Sequence, residues 1–137
     1  ELYGSARLGV IFTVAGAVGF IVSNMFDVWF TVGASGSIFG LLGAIIAYAR
    51  KRGGAFGRLV LQQYGQWALI LFISGFLLSG VNNYAHAGGF IGGYAAGLVL
   101  SLAERRAEST LDWLLASVAI VVTAVGFALA LFTAFAG

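Results

Sequence analysis

The sequence has no cysteine and no proline, and charged residues make up only 9% of it. Without cysteine, neither a disulfide nor thiolate chemistry is open to it. Its one histidine, His86, cannot supply the three or four ligands of a usual zinc site, so no metal and no cofactor is expected. The missing proline also argues against a linker, and the 21 glycines sit inside apolar runs. The scarcity of charge excludes an ordinary soluble domain, in which charged residues are about 25%. A net charge of +2 is too small to argue for a nucleic-acid partner.

What the chain has instead is apolar surface. Hydrophobic residues are 61% of it, more than a soluble domain can hide, so the solvent must be a lipid bilayer. Charges divide the sequence into uncharged runs: Leu8 to Phe26, Val28 to Ala49, Leu59 to Ala103 and Trp113 to Gly137. A membrane helix needs about 20 apolar residues, so the 45-residue third run must hold two. Its natural break is Ser79-Gly80-Val81-Asn82-Asn83, a polar, glycine-containing cluster. The expectation is an all-α membrane protein, a polytopic bundle with spans near 8–26, 35–49, 63–79, 84–103 and 113–135. The first run is too long for a signal-peptide core, and a chain beginning at Glu1 reads as a piece of a longer protein.

Charge topology agrees with five spans. Arg7, Arg50, Lys51, Arg52, Arg58, Arg105 and Arg106 are all the basic residues, and alternating spans put every one on the same side. By the positive-inside rule that side is cytoplasmic. Ser35 then lies roughly 22 Å above Arg50, and His86 roughly 27 Å above Glu104, at 1.5 Å per helical residue. Both fall in the outer half of a hydrocarbon core about 30 Å thick. A second helix starting near Ser35 is short, so Val32 to Ala34 must enter the membrane as irregular backbone, which is tolerated only against protein or a wet cavity.

Glycine spacing indicates which helices touch. Gly36, Gly40 and Ala44 recur every fourth residue, as do Ala85, Gly89, Gly93 and Gly97, with Gly88, Gly92 and Ala96 beside them. Small residues on one helix face let backbones approach closely in lipid. If these ladders pack on each other rather than on other helices, Ser35 and His86 meet at their upper ends. A serine at a helix start is otherwise an ordinary N-cap. Gly33 and Gly36 on either side suit a reacting carbonyl better, and the free N–H groups of a helix N-terminus suit an oxyanion. An ionisable group inside a span is a functional candidate by default, the alternative being a structural hydrogen bond from a neutral imidazole. A neutral imidazole is also the form a general base needs. No carboxylate is in evident reach of His86. Asp27, on the outer side, more simply marks the end of a span, so a Ser35–His86 dyad is expected. Phe39, one turn below Ser35, is placed to pack on the imidazole or, more plainly, to face lipid.

Gly33-Ala34-Ser35-Gly36 with Ile38-Phe39-Gly40 resembles the serine motif of rhomboid intramembrane proteases. Ala85-His86 with Gly89 and Gly93 resembles their histidine motif, and Glu1 with Gly4-Ser5-Ala6-Arg7 resembles the loop after their second helix. The resemblance runs to about Arg106. It implies a partial rhomboid-like core over 1–106, made of the family's third to sixth helices, followed by an added helix in 107–137. It further implies that Ser35 is the nucleophile, that His86 is the base and that Asn83 lies near the active site. The family's oxyanion hole draws a histidine and an asparagine from a second helix that these residues do not contain, so 1–137 alone is expected to be inactive. The function implied is a serine endopeptidase cutting transmembrane segments of membrane proteins, in a multi-pass protein of the bacterial plasma membrane. Substrate entry is expected past the third span, where Trp67, Phe72 and Phe76 either form a gate or simply pack. The rival readings are a catalytically dead rhomboid-like scaffold and a small transporter component with His86 as a proton relay.

Overall fold

The computed structural model describes residues 4–28, 35–101 and 108–136. They form five helices: α1 (Ser5–Met25), α2 (Ser35–Arg52), α3 (Gly54–Leu77), α4 (Asn83–Ser101) and α5 (Thr110–Ala136). Contacts between helix ends show that they run alternately up and down. The starts of α1 and α5 meet through Arg7 and Asp112. The end of α1 meets the start of α4 through Ser23 and Asn82, and α2 and α4 start together at Ser35 and His86. Arg7, Arg50, Lys51, Arg52 and Arg58 therefore gather at one end of the bundle. Arg105 and Arg106 lie outside the described residues.

Helix boundaries follow local chemistry. Asp27 has a positive φ of 59°, which a short polar side chain tolerates. The N–H groups of Asp27 and Val28 fold back onto the carbonyls of Asn24 and Ser23, the helix-ending pattern of a Schellman motif. Asp27 thus closes α1. The largest departure from the expected spans is α3, which begins at Gly54 rather than near residue 63. Gly53, with φ of 64°, turns the chain within one residue of Arg52. The stretch from Phe56 to Gln66 is rich in good helix formers and free of proline, so it stays helical below the apolar part. The expected cytoplasmic loop is instead one turn and an extended helix.

The bundle is centred on α4, which packs on both α2 and α1. Small residues make this possible. A Cβ on Gly93 would fall on the carbonyl oxygen of Gly40, and one on Gly89 on that of Gly36. On its other side, Gly88 and Gly92 receive Val22 and Val18 of α1. Ile11, Ala44 and Tyr48 form a buried cluster toward the basic end, backed by Leu41, Ala96 and Leu100. Large apolar side chains face outward around the bundle, among them Phe20, Ile21, Leu69, Ile91 and Val99. A continuous outer surface of this kind suits lipid rather than water. Taken singly, α1 and α5 are long and apolar enough to cross a membrane. The other three are diluted, α2 by Arg50–Arg52, α3 by its glutamines and Arg58, and α4 by glycines and His86.

Among the described helices α5 touches only α1, and polar groups hold the junction. Ser109 and Asp112 make a reciprocal cap at the start of α5, with Ser109 N–H to Asp112 Oδ2 at 2.8 Å and Asp112 N–H to Ser109 Oγ at 3.3 Å. The same Asp112 oxygen accepts from Arg7 Nη2 at 3.0 Å, with both side chains buried. Glu108 accepts from the Ala6 N–H at 2.7 Å and so caps α1. Asp112→Asn keeps the cap and loses the charge, whereas Asp112→Ala loses both the cap and the carboxylate that pairs with Arg7. Both substitutions should lower the melting temperature in detergent, the alanine variant more. Equal melting of all three proteins would show that this junction does not hold α5.

Candidate active site

Ser35 is the first residue of α2 and is exposed, while His86, one turn into α4, is 7% exposed. The close approach of α2 and α4 along their glycines puts His86 Nε2 2.8 Å from Ser35 Oγ. Gly36 belongs to the same seam, because a Cβ there would crowd the Ala85 carbonyl oxygen. Gly40, Gly89 and Gly93 continue it downward. Gly33, with the rest of 29–34, lies outside the described residues. The neighbouring serine, Ser37, is buried toward α1, where a side chain on Gly16 would stand.

The other imidazole nitrogen is also occupied. His86 Nδ1 lies 3.1 Å from Asn83 Oδ1, and the Asn83 Nδ2–H donates to the Phe72 carbonyl of α3 at 3.3 Å. These partners dictate the proton positions. A main-chain carbonyl only accepts, so the amide must turn its NH2 to Phe72 and its oxygen to His86. That oxygen needs a donor, which makes Nδ1 the protonated nitrogen and leaves the Nε2 lone pair for the Ser35 hydroxyl proton. The sequence shows no carboxylate in evident reach of His86 and leaves Phe39 either on the imidazole or facing lipid. An amide three residues before the histidine, on the same helix face, makes the hydrogen bond instead. The i, i+3 spacing was the available signal. Nothing in the sequence pointed to the Phe72 carbonyl.

Phe39 covers one face of the His86 ring. Its ring stacks on His86 with centroids 4.3 Å apart and planes 19° from parallel, and Phe72 meets it edge-on at 6.5 Å. Phe72 in turn meets Phe76 edge-on at 5.4 Å. Of the three aromatics expected on the gate surface, Phe72 is half-buried beside the site, while Trp67 and Phe76 are exposed. Asn82 caps α4 by accepting the Ala85 N–H at 3.2 Å and also donates to Ser23 Oγ. Its amide fastens α4 to the end of α1. A cavity of about 720 Å³ opens beside the site, walled by Phe72, Gly75, Phe76, Asn83 and Ala87 among others.

Similarity to known proteins identifies the family. Residues 1–103 match the Rhomboid domain family. Rhomboid protease GluP of Bacillus subtilis (strain 168) is 36% identical over 131 residues, covering 93% of this chain and 25% of that protein. That match continues past residue 103 into α5. From Arabidopsis thaliana, RHOMBOID-like protein 1 is 30% identical over 103 residues, 71% of this chain and 25% of that protein. RHOMBOID-like protein 2, from the same plant, is 30% identical over 160 residues, 100% of this chain and 48% of that protein. The chain thus spans between a quarter and about half the length of these relatives. No solved structure shows significant similarity. With the family matched over residues 1–103 and relatives at 30% identity or more covering over two thirds of the chain, the chain belongs to the rhomboid family.

Proposed function

We propose that this chain carries the nucleophile and base of an intramembrane serine endopeptidase that cuts transmembrane segments of other membrane proteins. The observation that carries the reading is the 2.8 Å contact of His86 Nε2 with Ser35 Oγ, with Asn83 Oδ1 beside Nδ1 favouring the tautomer in which Nε2 accepts. Ser35 Oγ attacks the scissile carbonyl as its proton passes to Nε2. The imidazolium then gives that proton to the leaving amine, and water repeats the cycle on the acyl-enzyme. Charge that develops on the carbonyl oxygen falls at the start of α2, where the first N–H groups of a helix lack intrahelical partners. Asn83 Oδ1 and the Phe39 ring face both favour the transient imidazolium. Phe39 and Asn83 support the base, Gly33 is assigned to give the substrate carbonyl room, and the bare face of Gly36 serves the seam with α4 instead.

In this reading all five helices span the bilayer, and the basic end is cytoplasmic. Residues 1–106 form the catalytic core, and 107–137 add a helix to it. Substrates enter from the lipid past α3, in the plasma membrane of a bacterium. The resemblance implies that the rest of the oxyanion hole comes from a helix outside these residues, so we assign activity to the full-length protein rather than to 1–137 alone.

A serine-directed fluorophosphonate applied to the full-length protein tests the assignment. Labelling should vanish in Ser35→Ala and persist in Ser37→Ala, whose hydroxyl is buried away from the site. An unlabelled wild-type protein would instead favour a non-cleaving membrane scaffold or a transporter component.

A further inference from the structure

Gly75 lies on α3, away from both reacting groups, yet the geometry of the base depends on it. In a helix, the carbonyl of residue i lies beneath the side chains of residues i+3 and i+4. Gly75 is three residues after Phe72 and has no side chain, so the Phe72 carbonyl is uncovered on the side facing α4. The Asn83 amide occupies that opening. A Cβ on Gly75 would fall on the Asn83 carboxamide. Elsewhere α3 packs on α2 and meets α4 sparingly, so this notch is where α3 reaches the base.

From this we infer that Gly75 is a positioning residue for His86, acting through Asn83. The inference rests on the protease reading above and deepens it. The bare face at Gly75 admits the amide, the Phe72 carbonyl fixes which end of the amide faces the imidazole, and the amide oxygen holds the proton on Nδ1. If α3 moves away, the amide loses its reason to point one way. Turned over, it presents N–H to the imidazole, and the imidazole proton shifts to Nε2. That proton then points at Ser35, and His86 cannot accept from it. The same residues wall the 720 Å³ cavity, so a chain segment that wedges α3 aside there acts directly on the tautomer of the base.

The test uses the full-length protein in lipid. Gly75→Ala should lower kcat by about 100-fold, the cost of misplacing a catalytic group by an ångström or so, with KM within about twofold of wild type. The fluorophosphonate labelling rate at Ser35 should fall by a similar factor. Asn83→Ala, which adds no bulk and so guards against misfolding, should behave alike. The double variant should be no slower than Asn83→Ala, because both changes act through one amide. Gly65→Ala, on the same helix with open space around it, should change none of these. The imidazole ¹⁵N spectrum, with His86 assigned by its loss in His86→Ala, reads the tautomer without any activity. It should show Nδ1 protonated in wild type and a mixture of tautomers in Gly75→Ala and Asn83→Ala. An unchanged tautomer in both variants, or kcat losses that multiply in the double variant, overturns the role of Gly75. Failure of wild-type labelling with the tautomer shift intact overturns only the protease reading.

Discussion

His86→Ala is expected to lower cleavage of a transmembrane substrate by about 10⁴-fold or more, and Ser35→Ala to match it, as for paired groups in soluble serine proteases. The reason is mutual dependence. A serine hydroxyl is a poor nucleophile until a base takes its proton, and the chain has no second histidine to replace His86. A lone imidazole against Phe39 likewise has nothing to activate once Ser35 is gone. The double variant should therefore be no slower than either single one. The measurement is initial rate in proteoliposomes at saturating substrate, so that entry from lipid does not mask the chemical step. If His86→Ala retained a tenth of the wild-type rate, another group would have to be the base. If both variants cleaved normally, the protease reading would be wrong.

The second large effect concerns packing rather than chemistry. Gly93→Ala places a methyl group on the Gly40 carbonyl oxygen, and both sides of that contact are backbone. Backbone cannot rotate out of the way as a side chain can, so the helices must separate. Overpacking of this kind costs typically about 1–3 kcal/mol, and Gly93→Val should cost more. Gly126→Ala provides the contrast, since it meets nothing within 4 Å and replaces the poorer helix former, a gain of up to about 1 kcal/mol. Thermal unfolding in one detergent should separate the two by several degrees. Gly93→Ala should also slow cleavage, because Ser35 and His86 sit at the top of the seam it forces open. Equal melting of Gly93→Ala and wild type would mean that α2 and α4 are not in backbone contact.

These examples show what the sequence made legible. The pairing of α2 with α4 could be read because close approach in lipid needs small residues, and these recur visibly every fourth position. The meeting of Ser35 with His86 follows from that pairing plus depth. The start of α3 was misplaced because charge marks where an apolar run ends, not where a helix does. The turn at Gly53 ends α2, and helical backbone continues through Arg58 and the glutamines. The junction of Arg7 with Asp112 was hidden for another reason. Each charge alone marks the edge of a span, and only the docking of α5 on α1 brings them together across 105 residues. Contacts made by main-chain atoms, such as the Phe72 carbonyl on Asn83, leave no residue-type signal.

The glycine seam has one more consequence. α2 and α4 run parallel, and small residues repeat on both at intervals of four. Sliding one helix past the other by a single turn, about 5.4 Å, would again set small residue against backbone. Steric fit is therefore nearly degenerate, and polar contacts must choose the register. At one end His86 meets Ser35 at 2.8 Å, and at the other Arg50 donates to the Tyr94 hydroxyl at 2.8 Å. A one-turn slip would face Ser35 with Phe90 or Asn82 and Arg50 with Leu98 or Phe90, breaking both bonds together. The hydrogen bond between Ser35 and His86 thus also indexes the helices, like the detent of a ratchet.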